Sequence, residues 1–419
     1  MSRPLSAVLC GAGNRGLDGY GWCASQRQEL LEIVAVAEPL PSRRAVAVER
    51  HAIEPARVFR DWAELAKAEK VAEVAIVATP DREHVEPALS LLARGYHVLL
   101  EKPMALSLAD CWRLVEAAES SGRFLVVGHV LRYSPYFRAV KAFLQSGKLG
   151  DVMTVRHLEP VNFWRFCHSF VRGNWSVAGL SAPFIMAKSC HDFDLLYYLL
   201  EKRCMRVSSF GSLKHFRTEY RPAGATSRCC DCPLAESECA FSATRYYGDL
   251  LRAGEHGWPV NVVTSDFTEQ ALAEALADGP YGRCVYDCPN DVVDHQVAIM
   301  EFEEGVTATF TATAFTDHRV RETEIHGSLG TLKGDGRFLE FSDFRTREVE
   351  RWEVPTRGRH LGGDWAMLES FQRAVRTGDA SLLDTGPRDS LVSHAIALAV
   401  EESRLKGRVV EVDYAQDGL

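Results

Sequence analysis

The sequence predicts an α/β protein in which a doubly wound parallel sheet is followed by an α+β domain with an open, mostly antiparallel sheet. Three observations predict this fold class. Short apolar runs alternate with amphipathic helices over about the first 130 residues, a glycine-rich turn follows the first run, and longer strands arranged in hairpins begin after Gly150. We therefore expect an N-terminal domain at 1–130 and a second domain at 131–419.

Length and charge limit the possible functions. A chain of 419 residues is longer than a single hydrophobic core usually supports, which favours two domains. The net charge of −9, from 48 basic and 57 acidic residues, gives no basic footprint for nucleic acid or an anionic membrane. No apolar run approaches the ~18 residues of a membrane span, and the N-terminus lacks a signal-peptide pattern. We expect a cytoplasmic protein with no nucleic-acid or membrane partner.

The parallel sheet is predicted from buried apolar runs at 5–10, 33–37, 73–78, 97–100 and 124–127. Helices are predicted between them at 81–93 and 111–120. The second of these helices is preceded by a cap at Ser107 and followed by Gly122, and both residues are typical of helix ends.

The second domain is predicted from strands at 153–158, 206–212, 297–302, 306–314, 322–326, 338–342 and 348–354. Two late helices, at 365–376 and 390–405, are expected to pack beside both domains. Residues 222–290 are rich in cysteine, glycine and proline, and we interpret them as a less regular insertion rather than a third domain.

The turn after the first strand has the sequence Gly11-Ala12-Gly13-Asn14-Arg15-Gly16, which is typical of a Rossmann dinucleotide site. Its glycines allow a tight bend, a close approach to the pyrophosphate and close helix packing, and the helix N-terminus faces the phosphates. Glu38 lies 22 residues beyond Gly16, where a carboxylate holds the adenosine ribose. This carboxylate favours NAD over NADP, although Arg43 and Arg44 lie close enough to leave NADP open.

Several motifs identify the chain as similar to a known family. They are Ala78-Thr79-Pro80 with His84, Glu101-Lys102-Pro103, Arg132-Tyr133-Ser134-Pro135 and Gly327-Ser328-Leu329-Gly330-Thr331-Leu332. Together with the glycine turn they resemble the glucose-fructose oxidoreductase, inositol dehydrogenase and rhizopine-catabolism (Gfo/Idh/MocA) family. The resemblance spans nearly the whole chain except the insertion.

This resemblance implies a sugar or cyclitol substrate and a homo-oligomer, a dimer or tetramer, formed through the open sheet. It also implies that Thr79, Pro80, His84 and Glu101 contribute to the cofactor site. Lys102 would contact both the cofactor ribose and the substrate hydroxyl, while Pro103 would keep the turn in shape. Independently of the family, a lysine at the carboxyl end of a parallel strand projects into the crevice where such sheets bind ligands.

The stretch from Ala187 to Leu196 supplies the candidate acid–base residues. The family usually has an acid four residues before a histidine and another acid three after it, so His191 and Asp194 match the pattern and Ala187 does not. Histidine titrates near neutral pH and can take the hydroxyl proton that alcohol oxidation releases. If this stretch is helical, Lys188 lies three residues before His191 on the same face, where it would replace the missing acid.

Alternatives for these residues stay open. His191 could be a structural histidine bonded to Asp194 or Asp192, and Lys188 could be part of an ion pair. His129, after the last parallel strand, could touch cofactor or substrate but is a weaker candidate.

Half of the twelve cysteines lie in the insertion. Cys229 and Cys232 have the spacing of a metal knuckle, Cys239 could give a third thiolate, and Cys284 or Cys288 a fourth. We expect a closed, structural zinc site, with an iron–sulfur cluster, or reduced thiols or disulfides, as alternatives. A similar lobe occurs in a subgroup of the family, together with a run like the one at 290–296, which either reaches the substrate site or is a solvated loop.

The leading hypothesis is an NAD-dependent oxidoreductase that transfers a hydride between a sugar or cyclitol hydroxyl carbon and nicotinamide, with Lys102 and His191 handling the proton. Two alternatives are a glycoside hydrolase that oxidises its sugar transiently and a non-catalytic NAD-binding sensor. Retention of both Lys102 and His191 argues against the sensor.

Overall fold

The computed structural model describes residues 3–414. Its first sheet has six parallel strands in the order β3-β2-β1-β4-β5-β6, which is the strand order of a doubly wound dinucleotide-binding fold. The strands are β1 (Leu5–Cys10), β2 (Leu31–Ala37), β3 (Val58–Phe59), β4 (Val74–Val77), β5 (His97–Leu100) and β6 (Leu125–Val127).

Helices cover both faces of this sheet, so its strands are apolar throughout. The turn after β1 leads into a π-helical segment, Asn14–Gly21, which continues as a short α-helix. The α-helices of this part are α1 (Trp22–Gln26), α2 (Pro41–His51), α3 (Trp62–Lys67), α4 (Val85–Ala93) and α5 (Leu108–Ser121).

The second sheet has nine strands in the order β14-β13-β12-β11-β7-β10-β9-β8-β15, and every neighbouring pair is antiparallel except β10 with β7. Its strands are β7 (Val152–Pro160), β8 (Cys204–Ser212), β9 (His295–Phe302), β10 (Thr307–Thr313), β11 (Glu322–Gly327), β12 (Gly330–Gly334), β13 (Phe338–Asp343), β14 (Val349–Glu353) and β15 (Val410–Glu411). The predicted α/β fold class with two sheets of these types is confirmed.

One face of the second sheet carries helices, and the other is open. The covering helices are α6 (Pro135–Gln145), α7 (Phe163–Phe166), α8 (Phe184–Leu200) and α13 (Pro387–Lys406). Helix α12 (Gly363–Thr377) instead returns to the first domain, where Met367, Leu368 and Phe371 enter its core. Helix α13 packs against α8, β8 and α5 and so joins the two domains.

The cysteine-rich segment between β8 and β9 is more regular than its composition predicts. It contains α9 (Ala243–Arg252), α10 (Val260–Val263) and α11 (Glu269–Asp278), which begin after the caps Ser242, Pro259 and Thr268. These helices bury a small hydrophobic cluster of their own around Tyr247 and Leu276. The segment is therefore a compact helical lobe attached to the second domain.

No helix among residues 3–414 combines the length and apolar character needed to cross a membrane.

Candidate active site

The glycine turn after β1 is shaped by close backbone packing. Gly11 has φ +90°, and a Cβ there would lie 2.5 Å from the Ala78 carbonyl oxygen, while a Cβ on Gly16 would lie 2.0 Å from the Gly11 carbonyl oxygen. A Cβ on Gly13 would meet nothing nearer than an Arg43 nitrogen at 3.7 Å. Gly11 and Gly16 are thus required by the fold, whereas Gly13 leaves open the space in front of the helix N-terminus, where such folds bind a pyrophosphate.

Glu38, at the end of β2, is 3% exposed and faces the glycine turn. Its carboxylate accepts hydrogen bonds from the backbone amides of Ala12, at 2.7 Å, and Leu40, at 2.9 Å. Arg44 donates to the Glu38 carbonyl oxygen instead of to its carboxylate. The carboxylate is therefore fixed beside the turn, at the usual place of the adenosine ribose in this fold.

Glu101 and Arg15 connect the end of β5 to the glycine turn. Arg15 donates to the Glu101 carboxylate at 2.5 Å and to the Asp364 carboxylate at 2.5 Å, and the Tyr20 hydroxyl donates to Glu101 at 2.5 Å. Burial opposes the charged form of Glu101, but Arg15, the Tyr20 hydroxyl and Lys102 hold its pKa below the usual value. Asn14 lies at the outer side of the same turn, where its amide approaches Asp18 at 3.4 Å.

His84 joins two turns at the carboxyl edge of the sheet. One ring nitrogen lies 2.9 Å from the Thr79 carbonyl oxygen, and the other lies 2.7 Å from the carbonyl oxygen of Pro103, whose peptide bond with Lys102 is cis. The His84 ring therefore links the Thr79-Pro80 turn to the turn that carries Lys102.

Lys102 crosses from the first domain to the second. Its ammonium donates to the carbonyl oxygen of Ala187, in the first turn of α8, at 2.5 Å. The carboxylate that the family pattern usually has at this position is absent here, and the backbone carbonyl provides the acceptor in its place. The lysine amine thus lies between the cofactor turn and the helix that carries His191.

His191 is 7% exposed, and its Nδ1 has no hydrogen-bond partner among the described residues. Its ring lies 5.8 Å from the ring of His129 and 6.2 Å from that of His360. Burial, Lys102 and the neighbouring histidines lower the pKa of His191 well below its usual value. The imidazole is therefore neutral at physiological pH and has a free nitrogen.

The alternative that His191 is a structural histidine bonded to Asp194 or Asp192 is not supported, because both aspartates have other partners. Asp194 accepts two bonds from Arg132, both at 2.7 Å, and lies 3.0 Å from His129 Nδ1. Burial opposes the charge of Asp194, but Arg132 and His129 hold its pKa at about 2. Asp192 pairs with His157 and Arg321 instead, so neither aspartate is bonded to His191.

Lys188 and His191 do not converge as the helical spacing predicts. The Lys188 ammonium pairs with Glu159, at the end of β7, at 2.7 Å, and an Arg321 guanidinium nitrogen forms an ion pair with the other Glu159 oxygen at 2.6 Å. Burial lowers the pKa of Lys188 to about 8, although Glu159 acts in the opposite direction. The long lysine side chain turns towards β7, whereas His191 turns towards Lys102.

Sequence reasoning missed several charged residues beside this site. They carry no local motif and come from distant parts of the chain: Glu159, Arg165, Arg321, His360 and Asp364. His360 has a left-handed backbone, φ +49°, and its Nδ1 lies 2.8 Å from Asp364, which also binds Arg15. This left-handed backbone, which Leu361 shares at φ +55°, corresponds to no sequence motif, so the sequence alone gave no signal for the loop.

Four cysteines of the lobe line one cavity of about 110 Å³: Cys229, Cys232, Cys239 and Cys284. Cys230 and Cys288 do not line it. Cys229 accepts hydrogen bonds from Arg172, at 3.5 Å, and from the backbone of Ala243 at the start of α9. Cys288 donates instead to the Cys284 carbonyl oxygen. None of the twelve cysteines, all of which lie within residues 3–414, forms a disulfide.

These sulfurs are too widely spaced for a preformed metal site. The part of the chain that the structure describes has one trio of potential ligand atoms within 4.8 Å of each other, and it consists of His129, Cys190 and His394. His394 already uses both ring nitrogens, with the Ser390 carbonyl oxygen and the Met104 amide, so this trio is a poor metal site. Zinc in the lobe would have to draw its sulfurs closer, because Zn–S bonds are about 2.3 Å long.

The chain matches two family descriptions in tandem. Residues 5–129 match an oxidoreductase family with an NAD-binding Rossmann fold, and residues 137–333 match the GFO/IDH/MocA C-terminal domain. An inositol 2-dehydrogenase of Streptomyces avermitilis is 35% identical over 401 residues, which cover 93% of this chain and 98% of that protein. The chain belongs to the Gfo/Idh/MocA oxidoreductase family.

Other relatives are similar over smaller parts or in fold alone. The inositol 2-dehydrogenase of Salmonella typhimurium is 31% identical over 152 residues, which cover 36% of this chain and 44% of that one. Levoglucosan dehydrogenase in complex with NADH and levoglucosan has a TM-score of 0.70 at 17% identity, covering 98% of this chain and 100% of the other. An inositol dehydrogenase homologue from Azotobacter vinelandii, complexed with NAD⁺, also has a TM-score of 0.70 at 17% identity, covering 98% of both chains.

Proposed function

We propose that this protein is an NAD-dependent dehydrogenase that oxidises a CH–OH carbon of a sugar or cyclitol. The observation that carries the proposal is the meeting of a lysine ammonium and a neutral, unpartnered histidine at the carboxyl edge of the NAD-binding sheet. The names of the relatives support the substrate class, because they include inositol 2-dehydrogenases and a levoglucosan dehydrogenase.

Bound NAD would supply the hydride acceptor, and the residues of this chain would hold it. Gly13 and the helix that starts at Asn14 face the pyrophosphate, and Glu38 receives the ribose hydroxyls and disfavours a 2′-phosphate. Thr79, Pro80, His84 and Glu101 form and brace the turns beneath the nicotinamide half.

Lys102 and His191 divide the proton chemistry. The Lys102 ammonium, which donates to the Ala187 carbonyl oxygen, can donate equally to the substrate hydroxyl oxygen and stabilise negative charge that develops there. His191 Nδ1 accepts the hydroxyl proton, because this nitrogen is buried, neutral and free of other partners. Lys188 is paired with Glu159, so it contributes a positive charge beside the site and does not act as the proton acceptor.

NADH fluorescence tests the proposal directly. The purified protein is mixed with NAD and a panel of sugars and cyclitols, beside a Lys102→Ala variant whose NAD binding is measured separately. NADH formation that depends on both the substrate and Lys102 supports a dehydrogenase. Tight NAD binding with no net NADH on any panel member would instead favour the glycoside hydrolase or the sensor, and release of an aglycone from a glycoside would separate those two.

We also propose that the protein is a homo-oligomer joined through the open face of the second sheet. Phe210, Val297 and Ile299 are 64%, 39% and 56% exposed on β8 and β9, a cluster of apolar residues that water disfavours. Sedimentation analysis should therefore find a dimer or tetramer, and Ile299→Asp should shift the equilibrium towards monomer. A monomeric wild-type protein would contradict this.

A structural zinc ion in the cysteine lobe is a third proposal. It is supported by the positions of Cys229, Cys232 and Cys239 along the sequence, by their common cavity with Cys284, and by the Arg172 guanidinium that would stabilise thiolate charge. Free thiols throughout also suit the reducing cytoplasm, where we place the protein. Elemental analysis should give one zinc per chain, lost in Cys229→Ser; iron would indicate the cluster, and neither metal would leave reduced thiols.

A further inference from the structure

The guanidinium of Arg165 is the least satisfied charge beside the active site. Arg165 lies in the short helix α7, and among residues 3–414 its side chain has no ion pair or hydrogen bond. Its only close partner is the Trp258 ring, whose centroid lies 5.5 Å from the guanidinium carbon. Arg165 is only partly buried, so its five donors face water that a ligand carboxylate could replace.

The surroundings of Arg165 carry an excess of positive charge. Glu159 and Asp192 are the two carboxylates of this cluster, and Lys188 and Arg321 already pair with them. Arg319 adds another cation, which rests 5.0 Å from the centroid of the Trp164 ring without an ion pair among the described residues. Two cations, Arg165 and Arg319, are therefore left without carboxylate partners.

Arg165 follows the end of β7, six residues after Glu159, whose carboxylate pairs at 2.7 Å with Lys188, three residues before His191 on α8. Burial lowers the pKa of Arg165, and Arg319 and Arg321 lower it further while Glu159 raises it. Arg165 also lowers the pKa of His360, whose ring lies 6.2 Å from that of His191. The guanidinium thus lies near the Glu159–Lys188 pair and near His360, whose ring is the neighbour of His191.

The helical lobe completes this wall with aromatic side chains. Tyr246 stacks on Trp164 with ring centroids 4.5 Å apart, and its buried hydroxyl has no partner. Trp258 comes from the same lobe, three residues before Asn261, whose amide donates to Asp18 beside the glycine turn at 2.9 Å. The lobe therefore reaches from the cofactor turn to Arg165 and lines this region with aromatic side chains.

We infer that the substrate is a sugar acid, a polyol that bears a carboxylate, and that Arg165 binds this carboxylate beside the aromatic side chains of the lobe. This inference rests on the proposed function and names its substrate class. The planar guanidinium fork matches a carboxylate bidentately. The carboxylate would take no part in the reaction: bound NAD would supply the acceptor for the C–H hydride, and His191 would take the O–H proton.

Matched substrate pairs test the inference. The wild-type protein is assayed for NADH formation on glucose and glucuronate, on galactose and galacturonate, and on glucose 6-phosphate. We expect kcat/KM at least 100-fold higher for an acid than for its neutral partner. Arg165→Met should raise KM for the acid at least 30-fold with kcat within a few-fold, and Arg60→Met, which removes an arginine that is 80% exposed, should change neither.

A binding measurement separates the two possible failures. Thermal unfolding with NADH present should show that a sugar acid raises Tm of the wild type but not of Arg165→Met. Such Arg165-dependent binding without NADH formation from NAD would contradict the dehydrogenase and leave the carboxylate site standing. Equal turnover of neutral and acidic sugars, binding of the phosphate alone, or no effect of any acid on Tm would overturn the inference.

Discussion

The two sides of the active-site cleft differ in how completely their polar groups are satisfied. On the cofactor side, Glu38 accepts from two backbone amides, and Glu101 accepts from Arg15 and Tyr20. On the substrate side, His191 Nδ1, the Tyr246 hydroxyl and the Arg165 guanidinium have no hydrogen-bond partners among the described residues.

This difference indicates which groups are built to hold shape and which are built to meet a ligand. Most buried polar groups in proteins are hydrogen-bonded, so the free His191 Nδ1 and Tyr246 hydroxyl call for an explanation, which a bound substrate would provide. The cofactor side is fixed in advance, which limits reorganisation when the dinucleotide binds. The substrate side keeps a donor, an acceptor and a charge available for a molecule that the chain does not supply.

Removing the free acceptor should have the largest effect. His191→Asn should lower kcat by 100- to 10,000-fold, because general base catalysis typically contributes that much, while NAD binding stays within a few-fold. Steady-state NADH formation and NAD titration measure the two quantities. A kcat within ten-fold of wild type would show that His191 is a structural group after all.

Removing a hydrogen-bonded charge on the cofactor side should instead lower the free energy of unfolding. Arg15→Met leaves the buried Glu101 and Asp364 carboxylates without their shared cation, and removing one partner of a buried pair costs about 3–5 kcal/mol. Urea unfolding should reveal this loss. Arg27→Met, which breaks more exposed pairs with Glu29 and Glu369, is the matched control and should cost less than about 1 kcal/mol.

Buried neutral histidines make the fold sensitive to acid. Burial lowers the pKa of His168 and of His394 to about 3, and that of His191 well below its usual value. In the unfolded chain these histidines titrate near pH 6.5, so below that pH the unfolded state binds more protons than the folded one.

Stability is therefore fully present above about pH 6.5 and is lost as the pH falls towards the folded pKa, by about 1.4 kcal/mol per pH unit for each histidine. Tm measured at pH 7.5, 6.5 and 5.5 should stay level and then fall. His168→Gln should make the decline shallower, and a Tm that rises on acidification would contradict this account.

Removing the charge of Glu38 should have a smaller effect, which is confined to the affinity for the cofactor. Glu38→Gln keeps one acceptor for the Ala12 amide but loses the charge that disfavours a 2′-phosphate. KM for NAD should rise about ten-fold, or about 1.4 kcal/mol, and KM for NADP should fall. Kinetics with both cofactors measure this preference, and an unchanged NAD to NADP ratio would mean that Arg43 or another group sets it.

The smallest effect is expected at Lys188, three residues from His191. Lys188→Met removes one of the two cations on Glu159 but leaves Arg321 in place. Its kcat should fall less than ten-fold, by comparison with the much larger loss in His191→Asn. If the two variants are equally impaired, Lys188 takes part in proton transfer.

Local patterns predicted the cofactor half of this molecule well. Strand–turn–helix periodicity located β1, β2, β4, β5 and β6, and both glycines required by backbone packing lie in the motif. These features depend on neighbouring residues, so the sequence records them directly. The two-residue strand β3 is too short to leave such a pattern.

Long-range contacts explain what the sequence did not reveal. Arg165, Arg321 and His360 meet the site only because the second sheet and the last loop bring together residues far apart in the chain. Lys188 shares a helix face with His191, yet a carboxylate on β7 determines where its flexible side chain points. In the lobe, the content of cysteine, glycine and proline led us to predict irregular structure, although α9 and α11 are two well-capped helices.

The central claim is that Lys102 and His191 act on a hydroxyl while NAD accepts the hydride. Single-turnover absorbance at the NADH band, with enzyme in excess over NAD and a turned-over substrate from the panel, tests it most directly. The account predicts stoichiometric NADH in the wild type and at least 100-fold slower formation in both Lys102→Ala and His191→Asn, with NAD still bound. NADH formation at the wild-type rate in either variant would contradict it.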